Sequence, residues 1–242
     1  MTILAGIHPV LEALKASRPV ERVHIAKGAG GARVQEVIDE CRKAGVQVRF
    51  EDRATLDRLS RKATHQGIVA IAGDQQYANL DDLLRRARLV VVLDGIEDPH
   101  NLGAIVRTAH AAGAEGIVIP ERRATGVTPV VAKAAAGALE HLPLARVSNV
   151  NRALDQLKES GFWIYGLDER GDESYDQIRF NTPTALVAGG EGKGLHQQVK
   201  KHCDALVRIP LAGKIASLNV SVAMGIVLFE WRRRFGIGLQ GS

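Results

Sequence analysis

The stretch Asp94-Gly-Ile-Glu-Asp-Pro-His-Asn-Leu-Gly-Ala-Ile-Val-Arg-Thr-Ala109 decides the fold of the chain. It follows an unbroken apolar run, residues 89–93, which is typical of a buried strand in a parallel sheet. The stretch then passes through a polar loop with a proline and enters a helix near Leu102. Open α/β sheets bind ligands at the carboxyl ends of their strands, so this order of strand, loop and helix predicts a binding edge.

The loop and the helix carry polar side chains that could contact a ligand, namely Glu97, Asp98, His100, Asn101 and Arg107. Each also has a structural explanation, because Asn101 could be an N-cap and Arg107 an ordinary solvated helix residue. These residues alone leave both interpretations open.

A second loop, Gly189-Gly-Glu-Gly-Lys-Gly194, follows another apolar run. Its spacing excludes a Walker loop, which needs a glycine where Val187 stands and Ser or Thr where Gly194 stands. A dinucleotide fingerprint starting at Gly190 fails as well, because Leu195 occupies its third glycine position. The remaining alternatives are a loop whose backbone approaches a ligand beside Glu191, and a tight turn.

A third loop, Ile209-Pro-Leu-Ala-Gly-Lys-Ile-Ala-Ser-Leu-Asn219, joins a strand to the last helix. Capping of that helix by Ser217 explains the loop if it is considered alone. Three polar loops after strands of one α/β domain, however, favour a shared site.

The chain of 242 residues is long enough for one large or two small domains. Residues 1–73 predict a compact α/β/α domain, residues 74–88 a linker with a leading helix, and residues 89–242 a regularly alternating α/β domain with a mostly parallel sheet. The first 73 residues hold 12 Lys and Arg against 8 Asp and Glu, a net charge of +4 within the +5 of the whole chain. This basic front end suggests a nucleic-acid-binding domain, although an ordinary soluble surface is the alternative.

Several classes of protein are excluded. No apolar run approaches the roughly 18 residues of a membrane span, and the N-terminus lacks the order of a signal peptide. Cys41 and Cys203 are far apart and lack metal-ligand spacing, so we expect neither a disulfide framework nor a metal site. A cytoplasmic protein without a membrane partner is the simplest expectation.

The last helix, ending near Arg234, is apolar on nearly every side between Leu218 and Trp231. Such a helix is normally buried. We expect it to form a homodimer interface; a central core helix is the alternative.

Together the three loops resemble the motifs of a known family. Three stretches carry the resemblance: Asp98-Pro-x-Asn-Leu-Gly-Ala-x-x-Arg107, the glycine loop at 189–194, and Ile209-Pro-x-x-Gly-x-x-x-Ser-Leu-Asn-Val-Ser-Val-Ala223. They are similar to the three motifs of the SpoU/TrmH family, whose members are RNA ribose 2′-O-methyltransferases of the SPOUT superfamily. In addition, residues 6–10 and 65–68 resemble the ribosomal-protein-like (L30e/L7Ae-like) RNA-binding domain of one subgroup. That subgroup modifies a guanosine in the peptidyl-transferase region of large-subunit (23S) ribosomal RNA.

The resemblance implies S-adenosylmethionine as methyl donor, a homodimer, and a trefoil knot in the C-terminal domain, which no periodicity predicts. Residue by residue, it implies cofactor contacts by Gly189, Ile209 and Leu218, and catalytic or substrate-orienting positions at Asn101, Arg107, Glu191, Ser217 and Asn219. Another RNA substrate, such as transfer RNA, is the nearest alternative. A non-catalytic RNA-binding or ribosome-assembly factor is another, which the five intact polar identities disfavour.

The family often assigns the activation of the ribose hydroxyl to the arginine that matches Arg107. A guanidinium with a pKa above about 12 is a poor base at neutral pH. We therefore expect Arg107 to stabilise the developing alkoxide and the neighbouring phosphate. We expect Glu191 to hold either Arg107 or its own loop in place.

Overall fold

The structure is a computed structural model that describes residues 1–61, 63–74, 76–192, 194–214 and 217–236. The first half of the chain forms β1 (Thr2–Ala5), α1 (Ile7–Lys15), β2 (Val20–Ala26), α2 (Ala32–Lys43), β3 (Gln47–Glu51), α3 (Arg53–Leu59), β4 (Ile68–Ala72), α4 (Leu80–Leu84), β5 (Leu89–Asp94), α5 (Pro99–Ala112) and β6 (Gly116–Pro120). The second half forms α6 (Pro129–Ala135), β7 (Leu144–Val147), α7 (Val150–Glu159), β8 (Trp163–Leu167), β9 (Glu173–Ser174), β10 (Thr184–Gly189), α8 (Gln197–His202), β11 (Ala205–Arg208) and α9 (Val220–Phe235).

The first compact unit contains Met1–Gln76 and Gly126–His141. Its four-stranded sheet has the order β1-β4-β2-β3, in which β4 is antiparallel to β1 and β2, and β2 is parallel to β3. The apolar face of α3 packs on this sheet, where Leu56 joins a buried cluster with Ala26 and Val69. The predicted α/β/α arrangement is confirmed, and β1 adds a strand that the sequence analysis did not predict.

The segment Gly126–His141 lies in this unit although the sequence analysis places it in the second domain. From the sequence, Thr128 and Pro129 predict the N-cap and first residue of an alanine-rich helix that runs to Leu139. Thr128 does cap α6, but the helix ends at Ala135. It ends there because Ala136 and Gly137 both have left-handed backbone conformations, with φ of 50° and 94°. A 3-10 turn follows, and its Glu140 forms an ion pair of 2.7 Å with Arg18 in which both side chains are only 8% exposed.

The second compact unit contains Tyr77–Thr125 and Leu142–Ser242. Its seven-stranded sheet has the order β7-β6-β5-β10-β8-β11-β9. Every neighbouring pair in the described sheet is parallel, which confirms the predicted mostly parallel sheet. The trefoil knot stays a prediction.

The pairing of β5 with β10 brings the first two motif loops together. Gly189 lies opposite Asp94 in the register, so both strands end at the same level. All six residues of each strand are buried, which explains their unbroken apolar runs. The loops that follow these strands therefore lie side by side.

The last helix, α9, is buried on one side rather than all round. Met224, Val227, Leu228 and Trp231 are buried, and the Trp231 indole donates a hydrogen bond of 2.7 Å to the Thr184 hydroxyl. On its other side Val222 is 50% exposed and Phe229 is 48% exposed. The central-core-helix alternative is therefore wrong for this chain. Among the described residues, no helix has the length and apolarity to cross a membrane.

Candidate functional site

A cavity of about 690 Å³ lies at the carboxyl ends of β8, β10 and β11. Six of the eight predicted site residues contribute to its wall: Gly189, Glu191, Ile209, Ser217, Leu218 and Asn219. Two of the three motif loops therefore line one cavity, and the first motif reaches it through Asn101. Arg107 does not contribute to the wall.

Two glycines of the second loop, Gly189 and Gly190, are required by close packing of backbone on backbone. A Cβ atom on Gly189 would overlap the backbone of Gly194, and one on Gly190 would overlap the carbonyl oxygen of Gly95. The Gly190 amide donates to the Asp94 carbonyl at 3.0 Å, and the Gly194 amide donates to the Gly190 carbonyl at 3.0 Å. The loop is thus a tight turn that also contributes to the wall of the cavity, and the approach of its backbone to a ligand stays a prediction.

A directed chain of hydrogen bonds links the three motifs. The Asn219 amide nitrogen donates to the Asn101 side-chain oxygen at 2.9 Å, and the Asn101 amide nitrogen donates to the Glu191 carboxylate. The Asn219 oxygen accepts from the Ser221 amide at 2.9 Å, which fixes the direction of the chain. Since Asn101 is only 8% exposed, its two bonds satisfy a buried amide and hold two loops in register.

Two capping hypotheses of the sequence analysis are wrong. Asp98, not Asn101, caps α5, because its carboxylate accepts from the His100 amide at 2.9 Å. Asn219, not Ser217, caps α9 through the Ser221 amide. Because other residues fill both caps, Asn101 is free for the interloop bonds and Ser217 is an exposed residue of the cavity wall.

Arg107 lies apart from this network. Six residues after Asn101 on α5, it points from a helix face about 120° away. Its side chain is exposed and forms no hydrogen bond or ion pair with any residue in the described ranges. Of the two roles expected for Glu191, the bond to Asn101 favours holding its own loop rather than holding Arg107.

A fourth segment of the cavity wall, Leu167 to Arg170 at the end of β8, was not predicted from the sequence. Asp168 in this loop forms an ion pair with Lys200 of α8 and accepts from the Arg170 amide at 2.9 Å. Burial would raise the pKa of Asp168, but these hydrogen bonds outweigh it and hold the pKa below its ordinary value. The signal that finds the other loops, polar residues directly after an apolar strand, is present here too.

Asp94 ties the first loop to the start of α8. Its buried carboxylate accepts from the His196 amide at 3.0 Å and lies 2.7 Å from the His196 ring nitrogen Nδ1. The first loop is also joined to the segment that follows β6, because the Thr125 amide donates to the Ile96 carbonyl at 2.9 Å. The carboxyl edge around Asp94 is therefore fixed by side-chain and backbone bonds that no sequence pattern indicated.

The cavity combines apolar walls with a few polar groups. Apolar surface comes from Leu167, Ile209 and Leu218. The glycine loop contributes backbone groups, and Glu191 contributes a carboxylate. This composition suits a nucleoside-sized ligand of mixed polarity. In the described part of the chain, no three His, Cys, Asp or Glu residues are grouped to hold a metal ion.

Two family descriptions match the chain. Residues 88–229 match the SpoU rRNA Methylase family, and residues 3–78 match the RNA 2′-O ribose methyltransferase substrate-binding domain. A Bacillus subtilis protein, putative TrmH family tRNA/rRNA methyltransferase YacO, is 44% identical over 96% of either chain.

Solved structures are similar over nearly the whole chain. The AdoMet-bound rRNA methyltransferase from Sinorhizobium meliloti is 29% identical with a TM-score of 0.82, over 98% of this chain and 88% of that one. The SpoU methyltransferase AviRb from Streptomyces viridochromogenes, in complex with the cofactor AdoMet, is 25% identical with a TM-score of 0.81, over 98% of this chain and 91% of that one.

Proposed function

Because the chain belongs to the SpoU family of RNA methyltransferases, we propose that it methylates the ribose 2′-hydroxyl of a guanosine in the peptidyl-transferase region of large-subunit (23S) ribosomal RNA. The coarser activity follows from the family: the protein is a tRNA/rRNA methyltransferase that uses S-adenosylmethionine. The single observation that carries the proposal is the chain of hydrogen bonds from Asn219 through Asn101 to Glu191 at the cavity.

The cavity fits S-adenosylmethionine in size and chemistry. Gly189 offers its backbone, and Ile209 and Leu218 offer backbone and apolar surface, as expected for the adenosine part of the cofactor. When bound, the cofactor supplies an electrophilic methyl group. The protein residues bind and orient it, and the polar side of the wall, with Glu191, Ser217 and Asn219, faces the same space.

We propose that Asn101 and Asn219 position the ribose rather than take its proton. Both amides have their orientation fixed by the hydrogen-bond chain, and a rigid site lowers the barrier by positioning, by several kcal/mol and up to about 7–11 in ideal cases. Glu191 contributes by holding the turn at 190–194 against α5. We propose that Ser217, which is exposed at the wall, contacts the substrate.

Arg107 is proposed to stabilise the charge that develops on the ribose oxygen. It is a free, exposed cation on the helix that carries Asn101, and its long side chain lacks a partner in the described structure. A guanidinium remains protonated at neutral pH, so it stabilises an alkoxide or a phosphate better than it accepts a proton.

A homodimer in the cytoplasm is part of the same proposal. The exposed side of α9 presents Val222, Ile226 and Phe229 at helical spacing, and such a stripe is typical of a surface that another subunit covers. RNA and S-adenosylmethionine are both intracellular, which agrees with that location.

Transfer RNA is the second candidate substrate, because the relative from Bacillus subtilis is named for both kinds of RNA. The basic balance of residues 1–73 favours RNA without distinguishing the two. The intact hydrogen-bond chain at the cavity disfavours the non-catalytic alternative, since a factor that only binds RNA does not need it.

The test incubates the protein with labelled S-adenosylmethionine and, separately, unmodified large-subunit rRNA, small-subunit rRNA and transfer RNA. We expect label in large-subunit rRNA, and we expect Arg107→Ala to lower the rate at least about 100-fold with cofactor affinity within a few fold of wild type. Label in transfer RNA instead would support the second candidate. No label in any RNA, with the cofactor bound, would support a non-catalytic factor.

A further inference from the structure

The wall of the cavity contains a largely buried ion pair between Asp168, which follows β8, and Lys200 of α8. The Asp168 side chain is only 6% exposed and the Lys200 side chain 24% exposed. Removing two charges from water costs free energy that their mutual attraction barely offsets, so such a pair contributes little to stability. Its place in the cavity wall therefore favours a role toward the ligand.

The Asp168 carboxylate can accept further hydrogen bonds. One oxygen, Oδ1, accepts from the Arg170 amide at 2.9 Å, and the other, Oδ2, pairs with Lys200. Burial would raise the pKa of this carboxyl, but these bonds lower the pKa below its ordinary value, so the group is ionised at neutral pH. An ionised carboxylate has no donor and about four acceptor positions, so about two positions remain for donor groups of a ligand.

The two carboxylates at Asp168 and Glu191 differ in their compensation by cations. Asp168 is neutralised by Lys200, whereas Glu191 has no cationic partner among the described residues and is bonded to the amide of Asn101. S-adenosylmethionine carries its positive charges on the sulfonium and the amino group, and its ribose hydroxyls are neutral donors. The uncompensated carboxylate suits the cationic part, and the neutralised one suits the hydroxyls, because a neutral ion pair exerts little net attraction on a cation.

The position of Asp168 in the wall also fits a ribose. It directly follows Leu167, and its amide donates to the Val207 carbonyl at 3.0 Å, so it lies beside the apolar part of the wall. The adenine of the cofactor suits this apolar part, and the ribose is the polar group attached to the adenine. In other open α/β sheets an acidic residue likewise binds the ribose hydroxyls of a nucleotide.

We propose that Asp168 binds the ribose hydroxyls of S-adenosylmethionine and that Lys200 is a positioning residue, which keeps the carboxylate ionised and in place. The proposal rests on the proposed function, because it takes S-adenosylmethionine as the ligand of this cavity. It adds a binding residue outside the three motifs, and it makes the 2′,3′-diol of the cofactor a requirement for tight binding.

The test compares two ligands in calorimetric titrations of the full chain without RNA: S-adenosylhomocysteine, which keeps the diol, and its 2′,3′-dideoxy analogue. Wild type should bind the diol form about 10- to 100-fold more tightly, because the analogue cannot donate to the charged carboxylate. Asp168→Asn should weaken binding of S-adenosylhomocysteine at least about 10-fold, while the affinity for the analogue stays within about threefold of wild type.

The positioning role of Lys200 is tested with the same two ligands. Lys200→Met should lower the ratio of the two affinities, mainly by weakening the binding of S-adenosylhomocysteine, because the carboxylate loses its cation. Lys200→Arg should restore most of the ratio, since it keeps a positive charge beside Asp168. A residue that only supports the fold would change both affinities together and leave the ratio as it is.

Asp172→Asn is the matched control, because Asp172 is an exposed carboxylate of the same segment and lies outside the described wall of the cavity. It should keep both affinities within about twofold of wild type. The melting temperature of each variant separates a loss of binding from a loss of folding.

Equal affinity of the wild type for the two ligands would overturn this proposal, and that comparison does not depend on the folding of any variant. An equal loss of both affinities in Asp168→Asn would overturn it in favour of a structural role. A wild-type protein that binds neither ligand would overturn the use of S-adenosylmethionine in the proposed function together with this proposal. Selectivity for the diol that is lost in Asp168→Asn, without methylation of any RNA, would support this proposal and overturn the proposed function.

Discussion

Asn101 is the residue that joins the loops of the site, because its amide accepts from Asn219 and donates to Glu191. Neither bond could be made if Asn101 capped its own helix, and Asp98 performs that task instead. The position of the cavity wall therefore depends on a buried amide with a fixed orientation.

Replacing the Asn101 amide with a carboxylate tests this role at constant size. Asn101→Asp removes the donor and places a negative charge beside Glu191, so we expect kcat to fall about 10- to 100-fold with cofactor affinity changed only a few fold. Asn149→Asp is the control, because Asn149 caps α7 and an aspartate caps equally well. Equal rates for Asn101→Asp and wild type would show that the hydrogen-bond chain is not needed.

The sequence alone identified the polar residues of the site but not the residues to which they are hydrogen-bonded. The motifs name Asn101, Glu191 and Asn219, whereas the bonds among them join residues about 90 to 118 positions apart in the chain. The ion pair of Asp168 with Lys200 was missed because it too depends on the fold.

Among the elements, α9 shows best how packing decides the role of a helix. Its buried side packs on α5 and β10, while Val222, Ile226 and Phe229 remain on the open side. The apolar pattern alone predicted burial all round, because a pattern does not say which molecule covers each side.

A charge on the open side of α9 tests the proposed dimer. Val222→Glu should produce a monomer in sedimentation experiments, since it would place an unpaired charge in an apolar interface. Arg152→Glu, which places the same new charge at an exposed position of α7 instead of α9, should leave the assembly unchanged. A monomeric wild type, or a Val222→Glu dimer as tight as wild type, would contradict the proposal.

The end of α9 makes stability depend on pH. Hydrogen bonds from Arg233 and Arg234 lower the pKa of Glu230 from 4.5 to about 2, against the opposing effect of burial. A lowered pKa stabilises the fold above the unfolded value, and this stabilisation is lost as pH falls from about 4.5 toward 2. Glu230→Gln should therefore reduce the free energy of unfolding by about 1–3 kcal/mol at pH 7 and by much less at pH 2.5. Urea titrations that show the same difference at both pH values would refute this linkage.

Element boundaries were predictable where glycine or proline marks them. From their apolar patterns, Val20–Ala26 and Gly116–Pro120 are predicted as strands, and the structure shows both with these bounds. The predicted end of α6 was wrong, because Ala136 adopts a left-handed backbone conformation that its residue type does not indicate. The strand β9, which has only 2 residues, was not predicted.

In the whole molecule the chain passes between the two compact units more than once. Residues 1–76 and Gly126–His141 form one unit, so α6 packs on β1 and α1, which a cut near residue 73 would remove. Strand order and this return of the chain depend on long-range packing, which local patterns do not encode. The alternation of strands and helices did predict a mostly parallel sheet.

Truncation should therefore be costly. A chain starting at residue 77 would expose Val131, Ala132 and Ala135, which are buried in the first unit. We expect it to show a broadened thermal transition or aggregation, because each buried apolar side chain contributes about 1–3 kcal/mol. A single sharp thermal transition of this truncated chain would contradict the expectation.

The central claim is transfer of a methyl group to a ribose hydroxyl, and alkaline hydrolysis of the labelled product tests it most directly. A 2′-O-methyl group removes the hydroxyl that attacks the adjacent phosphodiester bond, so the modified position survives alkali as a dinucleotide. We predict that the label remains in one alkali-resistant dinucleotide that begins with guanosine and derives from large-subunit rRNA. Label recovered in mononucleotides would place the methyl group on a base and would contradict the claim.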